Sequence, residues 1–68
     1  MKVVPLYDNV LIDGAGKVIA LPEDAKDFPV KVGDRIIVGE EDCFRINVAG
    51  QFYYLVDICE AYGKIVEE

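Results

Sequence analysis

The chain has no histidine and only two cysteines, Cys43 and Cys59, in 68 residues. No CxxC pair occurs, and two thiols cannot build a zinc site of the usual four-ligand kind. A disulfide between the two thiols is possible but not indicated. Both are read as reduced and largely buried, as in a cytosolic protein. Basic residues are few: seven, against thirteen acids, for a net charge of −6. They are scattered singly, which argues against a nucleic-acid interface, because phosphate neutralisation needs clustered Lys and Arg. The longest unbroken apolar run is Phe52 to Val56, far too short to span a membrane. The opening Met1-Lys2-Val3-Val4-Pro5 has no long apolar region and no small-residue cleavage site, so no signal peptide is expected and the expected location is cytoplasmic.

What is present suits one small domain over residues 1–68. A chain of this length buries only about 60% of its unfolded surface and is marginal without a staple. With metal and disulfide set aside, self-association is the expected staple. A positive mean hydropathy in so short a chain agrees with apolar surface covered by another copy.

The organising stretch is Val30-Lys31-Val32-Gly33-Asp34-Arg35-Ile36-Ile37-Val38, a Gly-Asp turn leading into a β-branched strand. Before it, Met1 to Ile12 is predicted as an extended segment. Pro5 places its start at an edge, and Asp8-Asn9 marks a bend or bulge. Lys17 to Leu21 is a second strand, ended by Pro22. Asp13-Gly14-Ala15-Gly16 between them is a turn. Followed by Lys17 it superficially matches a phosphate loop, but Leu11 stands at the first glycine position and Val18 where Ser or Thr would hold magnesium. A hairpin connection is the expectation.

Two acidic clusters need an account. Glu23, Asp24 and Asp27 match no calcium-loop spacing and lack its glycine. Glu40, Glu41 and Asp42 have no histidine, serine or lysine nearby to divide acid and base roles. Both read as solvated charge. Cys43 to Asp57 is a hairpin, since Phe44, Ile46 and Val48 alternate with Cys43, Arg45 and Asn47. Asn47-Val48-Ala49-Gly50 predicts a type I turn, with Gly50 left-handed in a bulge and a three-residue loop. That register sets Ile46 opposite Phe52, Phe44 opposite Tyr54 and Arg45 opposite Tyr53. Tyr53, Tyr54 and Tyr62 form an aromatic set, read as core or subunit contact rather than a ligand pocket. Ile58 to Ala61 is an irregular or helical turn, and Tyr62 to Glu67 a last strand. The first and last strands are plausible exposed edges, which invite pairing with another chain. The fold class expected is all-β.

Five stretches in order carry a resemblance. Val4-Pro5-Leu6-Tyr7-Asp8-Asn9-Val10-Leu11-Ile12 resembles the opening of the chaperonin-10, or GroES-like, co-chaperonin family. Gly16-Lys17-Val18-Ile19-Ala20-Leu21 resembles its Gly-acid-Val-apolar-Ala-Val strand. The organising stretch resembles its Val-Lys-Val-Gly-Asp turn. Tyr54-Leu55-Val56 and Ile65-Val66-Glu67 resemble its final hairpin strand and C-terminal strand. The resemblance implies a small irregular GroES-like β-barrel in a ring, commonly of seven copies. The first strand of each copy would pair with the last strand of its neighbour. By position, Val3, Val4 and Leu6 would meet Lys64, Ile65 and Val66 of the next copy.

The departures are as informative. The family's long mobile loop, whose apolar tripeptide docks on the chaperonin, shrinks here to Asp13–Lys17. Only Gly14, Ala15 and Gly16 are left as a possible chaperonin contact. The roof hairpin is cut to Pro22 through Pro29. The function implied is a non-enzymatic, ring-forming co-chaperonin that caps or modulates a chaperonin. The alternative is a reduced homo-oligomeric module (viral, scaffold or engineered) that no longer binds one. Medium-chain dehydrogenases share a GroES-like domain, but this chain has no dinucleotide half and no zinc set. No cofactor, nucleic-acid or membrane partner is expected.

Overall fold

A computed structural model describes residues 2–66. Two antiparallel sheets make up the body. Strands β1 (Asn9–Ile12), β2 (Val18–Ala20), β4 (Cys43–Val48) and β5 (Gln51–Asp57) form one, in the order β2-β1-β5-β4. Strands β3 (Arg35–Ile37) and β6 (Gly63–Ile65) form the other. Single 3-10 turns at Glu40–Asp42 and Ile58–Glu60 lead into β4 and out of β5.

The sheets meet around the start of β2. The Val18 N–H donates to the Asp34 carbonyl at 2.7 Å, the Gly33 N–H to the Val18 carbonyl at 2.9 Å, and the Ile36 N–H to the Gly16 carbonyl at 2.9 Å. Lys17 and Arg35 form an isolated bridge there. The all-β class is therefore seen, but the barrel does not close: among the described residues no ladder joins β4 to β6. The strand order runs β6-β3-β2-β1-β5-β4, with a gap between its ends.

The core lies on one face of the large sheet. Val10, Ile12, Val18, Val30, Ile36 and Val56 are buried together, with Leu21, Phe28, Val38, Tyr54 and Ile58 packed around them. Side chains alternate faces along a strand, so Val10 and Val56, which are paired, both point inward. Leu11 is also buried, yet its partners Leu55 and Ala20 place it on the opposite face. Each fully buried valine contributes roughly 1.5–3 kcal/mol relative to exposure. Between β1 and β2 the register slips at Leu11/Ile12, leaving Ile19 as the extra residue of a bulge.

The first segment is shorter than expected. Residues 2–6 join no strand ladder among the described residues, and strand begins only at Asn9. Tyr7, at φ 61°, turns the chain, and the Asn9 N–H closes that turn on the Leu6 carbonyl at 3.2 Å. A left-handed tyrosine cannot continue a strand, which ends the expectation of one ribbon from Met1.

The hairpin register also differs. The loop has two residues, Ala49 and Gly50, both at positive φ (52° and 86°). This is the primed turn whose twist matches right-twisted strands. Val48 faces Gln51, Ile46 faces Tyr53, Arg45 faces Tyr54 and Phe44 faces Leu55. Asn47 still accepts the Gly50 N–H at 3.1 Å through its side-chain oxygen. A one-residue slip moves every side chain to the other face. Pairing with β1 sets Tyr54 and Val56 inward, and the observed hairpin register puts Phe44, Ile46 and Val48 on the opposite face.

Ala49 bears the left-handed strain without a glycine's freedom. Ala49→Asn, which tolerates that region and completes an Asn-Gly turn, is expected to stabilise the protein by about 1 kcal/mol. Calorimetry should show a rise of about 4–8 °C in Tm. A three-residue loop with a right-handed residue 49 would give no gain.

Candidate functional site

Three places hold the residues singled out from the sequence: the two chain ends, the turn after β1, and the acidic segments. At the N-terminal end, Pro5 is buried and Val3 half-buried, whereas Val4 and Leu6 are exposed, Leu6 at 63%. Lys2 and Val3 line a shallow groove with Leu11, Ile19, Ala20, Val48 and Tyr53. The arm therefore lies beside the outer face of the large sheet.

At the other end, β6 gives one edge to β3, with Ile65 opposite Arg35 and Lys64 opposite Ile36. Its second edge is open among the described residues. Lys64 anchors the strand by donating to the Pro29 carbonyl at 2.8 Å and lies 3.9 Å from Asp34. Both groups of that ion pair are well exposed, so it contributes little. Ile65 and Val66 are exposed at 52% and 67%. Glu67, the end of the expected last strand, lies outside the described residues. Within one copy no hydrogen bond joins residues 2–6 to β6 among the described residues. The six residues named for the subunit contact thus form two separate groups.

The turn after β1 is closed on itself. Asp13 accepts the N–H groups of Ala15 and Lys17 through one carboxylate oxygen, each at 2.9 Å. The Asp13 N–H donates to the Lys17 carbonyl at 3.0 Å, and the Gly16 N–H to the Asp13 carbonyl at 3.1 Å. Of Gly14, Ala15 and Gly16, only the first two are exposed. Gly16 has φ 85°, and a Cβ on it would stand 2.7 Å from the Ile36 carbonyl oxygen. It is a glycine because the two sheets meet there.

Asp13, Gly14 and Gly16 rim the open end of the half-barrel. The depression there, about 370 Å³, has Ile12, Val38, Cys43 and Tyr54 as its floor and Glu40 and Arg45 opposite the turn. Three of its polar side chains, those of Asp13, Arg45 and Cys43, are already engaged. The Asp13 carboxylate caps the turn, and the Arg45 guanidinium stacks over Phe52 at 4.8 Å. Cys43 is half-buried and donates its thiol to the Gly39 carbonyl at 3.3 Å. Burial first, then the charges of Asp42 and Glu40, push that thiol above its ordinary range, which keeps it protonated and a poor nucleophile.

The other acids are placed as follows. Glu40, Glu41 and Asp42 make the 3-10 turn before β4, with the Tyr62 hydroxyl 3.5 Å from the Asp42 carboxylate. Glu23, Asp24 and Asp27 are exposed in the loop between β2 and β3. The three tyrosines do not share a surface. Tyr53 faces outward and bonds Gln51 at 2.6 Å, Tyr54 packs on the core, and Tyr62 is exposed on the segment before β6.

Both cysteines are free, but Cys59 is exposed, contrary to the expectation of burial. The pairing of Asn9 with Asp57 brings Asp8, Asp57 and Cys59 within 4.8 Å of one another, a grouping the sequence reading missed. The only hint in the sequence was the Asp57-x-Cys59 spacing at the strand's end. The Asp57 carboxylate is committed to a cap, accepting the Cys59 N–H at 2.8 Å. Charge and hydrogen bonding from Asp57 are the largest causes that raise the Cys59 thiol above its ordinary range.

No protein-family model matches the chain, and no curated protein matches it either.

Removing the Asp57 charge should lower the Cys59 pKa and raise its thiolate fraction at mildly alkaline pH. In a Cys43→Ser background, Asp57→Asn is expected to speed alkylation by iodoacetamide at pH 8 several-fold. An unchanged rate would remove Asp57 as the cause.

Proposed function

We propose that the chain is a non-enzymatic, ring-forming module of the co-chaperonin kind, joined copy to copy through its two ends. The observation that carries this is the state of those ends in one copy. A three-residue strand is open on one side, with Ile65 and Val66 exposed, and an unpaired arm exposes Val4 and Leu6. Among the described residues the Val3 and Val4 backbone groups and the second edge of β6 have no partner, and the two are complementary by β-augmentation. The resemblance to the GroES-like family supplies the direction: Val3, Val4 and Leu6 against Lys64, Ile65 and Val66 of a neighbour, repeated round a ring of about seven by that analogy. In this role the ring would act by binding one state of a chaperonin better than another. Its weak single contacts would be multiplied by valency.

A specific observation favours the second form of this proposal, in which the ring assembles but has lost its chaperonin. The turn at Asp13–Lys17 is tied at both ends by backbone bonds and capped by its own carboxylate. Gly14, Ala15 and Lys17 are its exposed residues, and none offers a large apolar anchor.

Two measurements separate the forms. Light scattering on the purified protein gives the copy number. A pull-down with a chaperonin in the presence of ATP shows whether the ring still docks. A ring with no nucleotide-dependent complex leaves the reduced module, and a monomer with no complex removes both.

Ile65→Asp places a charge in the proposed seam. It is expected to weaken each contact at least about 100-fold and shift sedimentation to small species. Ile65 is half-exposed in one copy, so the fold of the protomer should survive. An unchanged profile would count against this seam.

A further inference from the structure

A second edge is open, and it belongs to β4. In the two-residue hairpin Val48 and Gln51 close the turn as a hydrogen-bonded pair. Bonded and non-bonded pairs alternate along an antiparallel ladder. Val48, Ile46 and Phe44 therefore spend their backbone groups on β5, while Asn47 and Arg45 aim theirs away from it. No described residue accepts from or donates to the Arg45 and Asn47 backbones on that side.

Among the described residues this edge has little protection beyond the single charge of Arg45. Proteins blunt an open strand with proline, lysine, a bulge or a covering segment. β4 has no proline and no lysine, and its six pairs with β5 run without a bulge. Phe44 on it is 68% exposed. The stretch from Cys43 to Val56 is also the longest in the chain without a carboxylate, and it carries Arg45. In a protein of net charge −6, this is where two copies can approach with least repulsion.

The geometry points to β4 pairing antiparallel with β4 of a second copy across a twofold axis, making the two four-stranded sheets one continuous eight-stranded sheet. The register follows from the free groups. Placing Arg45 opposite Asn47 of the second copy pairs all four outward N–H and C=O groups on each strand. It keeps the two guanidiniums from facing each other, as they would in the register with Arg45 opposite itself. It also brings Ile46 beside Ile46 of the second copy on the outer face, with Phe44 against Val48. This contact uses a different element from the one proposed for the ring, so the two can be lost separately.

Two experiments on the full chain test it. Arg45→Pro removes one outward N–H and leaves the hairpin's own ladder intact, since proline is tolerated where a strand's N–H faces solvent. Its expected effect is to halve the sedimenting mass, whereas Ile65→Asp should leave pairs behind. An unchanged mass for Arg45→Pro overturns the β4 contact and leaves the ring proposal standing. Loss to pairs in Ile65→Asp alone supports both.

The second experiment is positive and does not depend on weakened folding. In a Cys43→Ser, Cys59→Ser background, Ile46→Cys places two thiols on a non-hydrogen-bonded pair with Cα atoms about 4.5 Å apart, within disulfide range. Mild oxidation should give a covalent dimer. Val48→Cys in the same background should not, because its neighbour is Phe44 rather than itself. No dimer from Ile46→Cys, or an equal yield from Val48→Cys, overturns the pairing, including the case in which the edge is reserved for a foreign strand.

Discussion

The cluster of backbone hydrogen bonds around Gly16 holds this protein together as one body. Each of its two sheets is too small to stand alone: one has two strands of three residues, and the other has one core-facing side. The bonds from Val18, Gly33 and Ile36 across the junction let both sheets cover the same six buried side chains. They need close backbone approach, and that approach leaves no room for a Cβ at residue 16. The residue that most resembles part of a binding loop is thus the hinge-pin of the fold.

The molecule is open at the far ends of the strand order, where β4 and β6 do not pair among the described residues. The gap between β4 and β6 is left to a turn and the side chains of Asp42 and Tyr62. The result is a curved, unsealed sheet, with both outermost strands presenting backbone groups to solvent. A small acidic chain with two such edges and large apolar side chains in the open is physically suited to company of its own kind.

Much of this was legible in the chain. The alternation of Phe44, Ile46 and Val48 announced β4, and the Gly33-Asp34 turn announced β3. Ile58 to Ala61 formed the short helical turn expected of it. What was not legible depended on choices that local sequence balances too finely. Both hairpin registers match apolar residues across the strands. Pairing with β1 puts Tyr54 and Val56 inside in either register, and what differs is whether Phe44, Ile46 and Val48 or Cys43, Arg45 and Asn47 share that face. Asn47-Val48-Ala49-Gly50 signals a right-handed turn, and tertiary packing forces Ala49 left-handed instead. The bend at Tyr7 carries no glycine to advertise it. Cys59 looked like a buried thiol because free cysteines usually are, and it stands exposed in the short turn that Asp57 caps. For the site, the two ends were named from the sequence, but the partner of β6 within its own copy was not. β3 lies nearly thirty residues away, and a three-residue strand gives no pattern with which to find it.

The closed turn at Asp13–Lys17 has one further consequence. Its neck is fastened by the Asp13–Lys17 backbone bond, and a side chain added at Gly14 would meet nothing within 4 Å. Such a neck separates whatever lies beyond it from the folded body. Extra chain spliced between Gly14 and Ala15 would cost only the slow logarithmic entropy of a longer loop, about 0.6 kcal/mol per doubling. The position is therefore a ready socket: a segment of any chosen sequence could be mounted there without disturbing the β-structure that carries it.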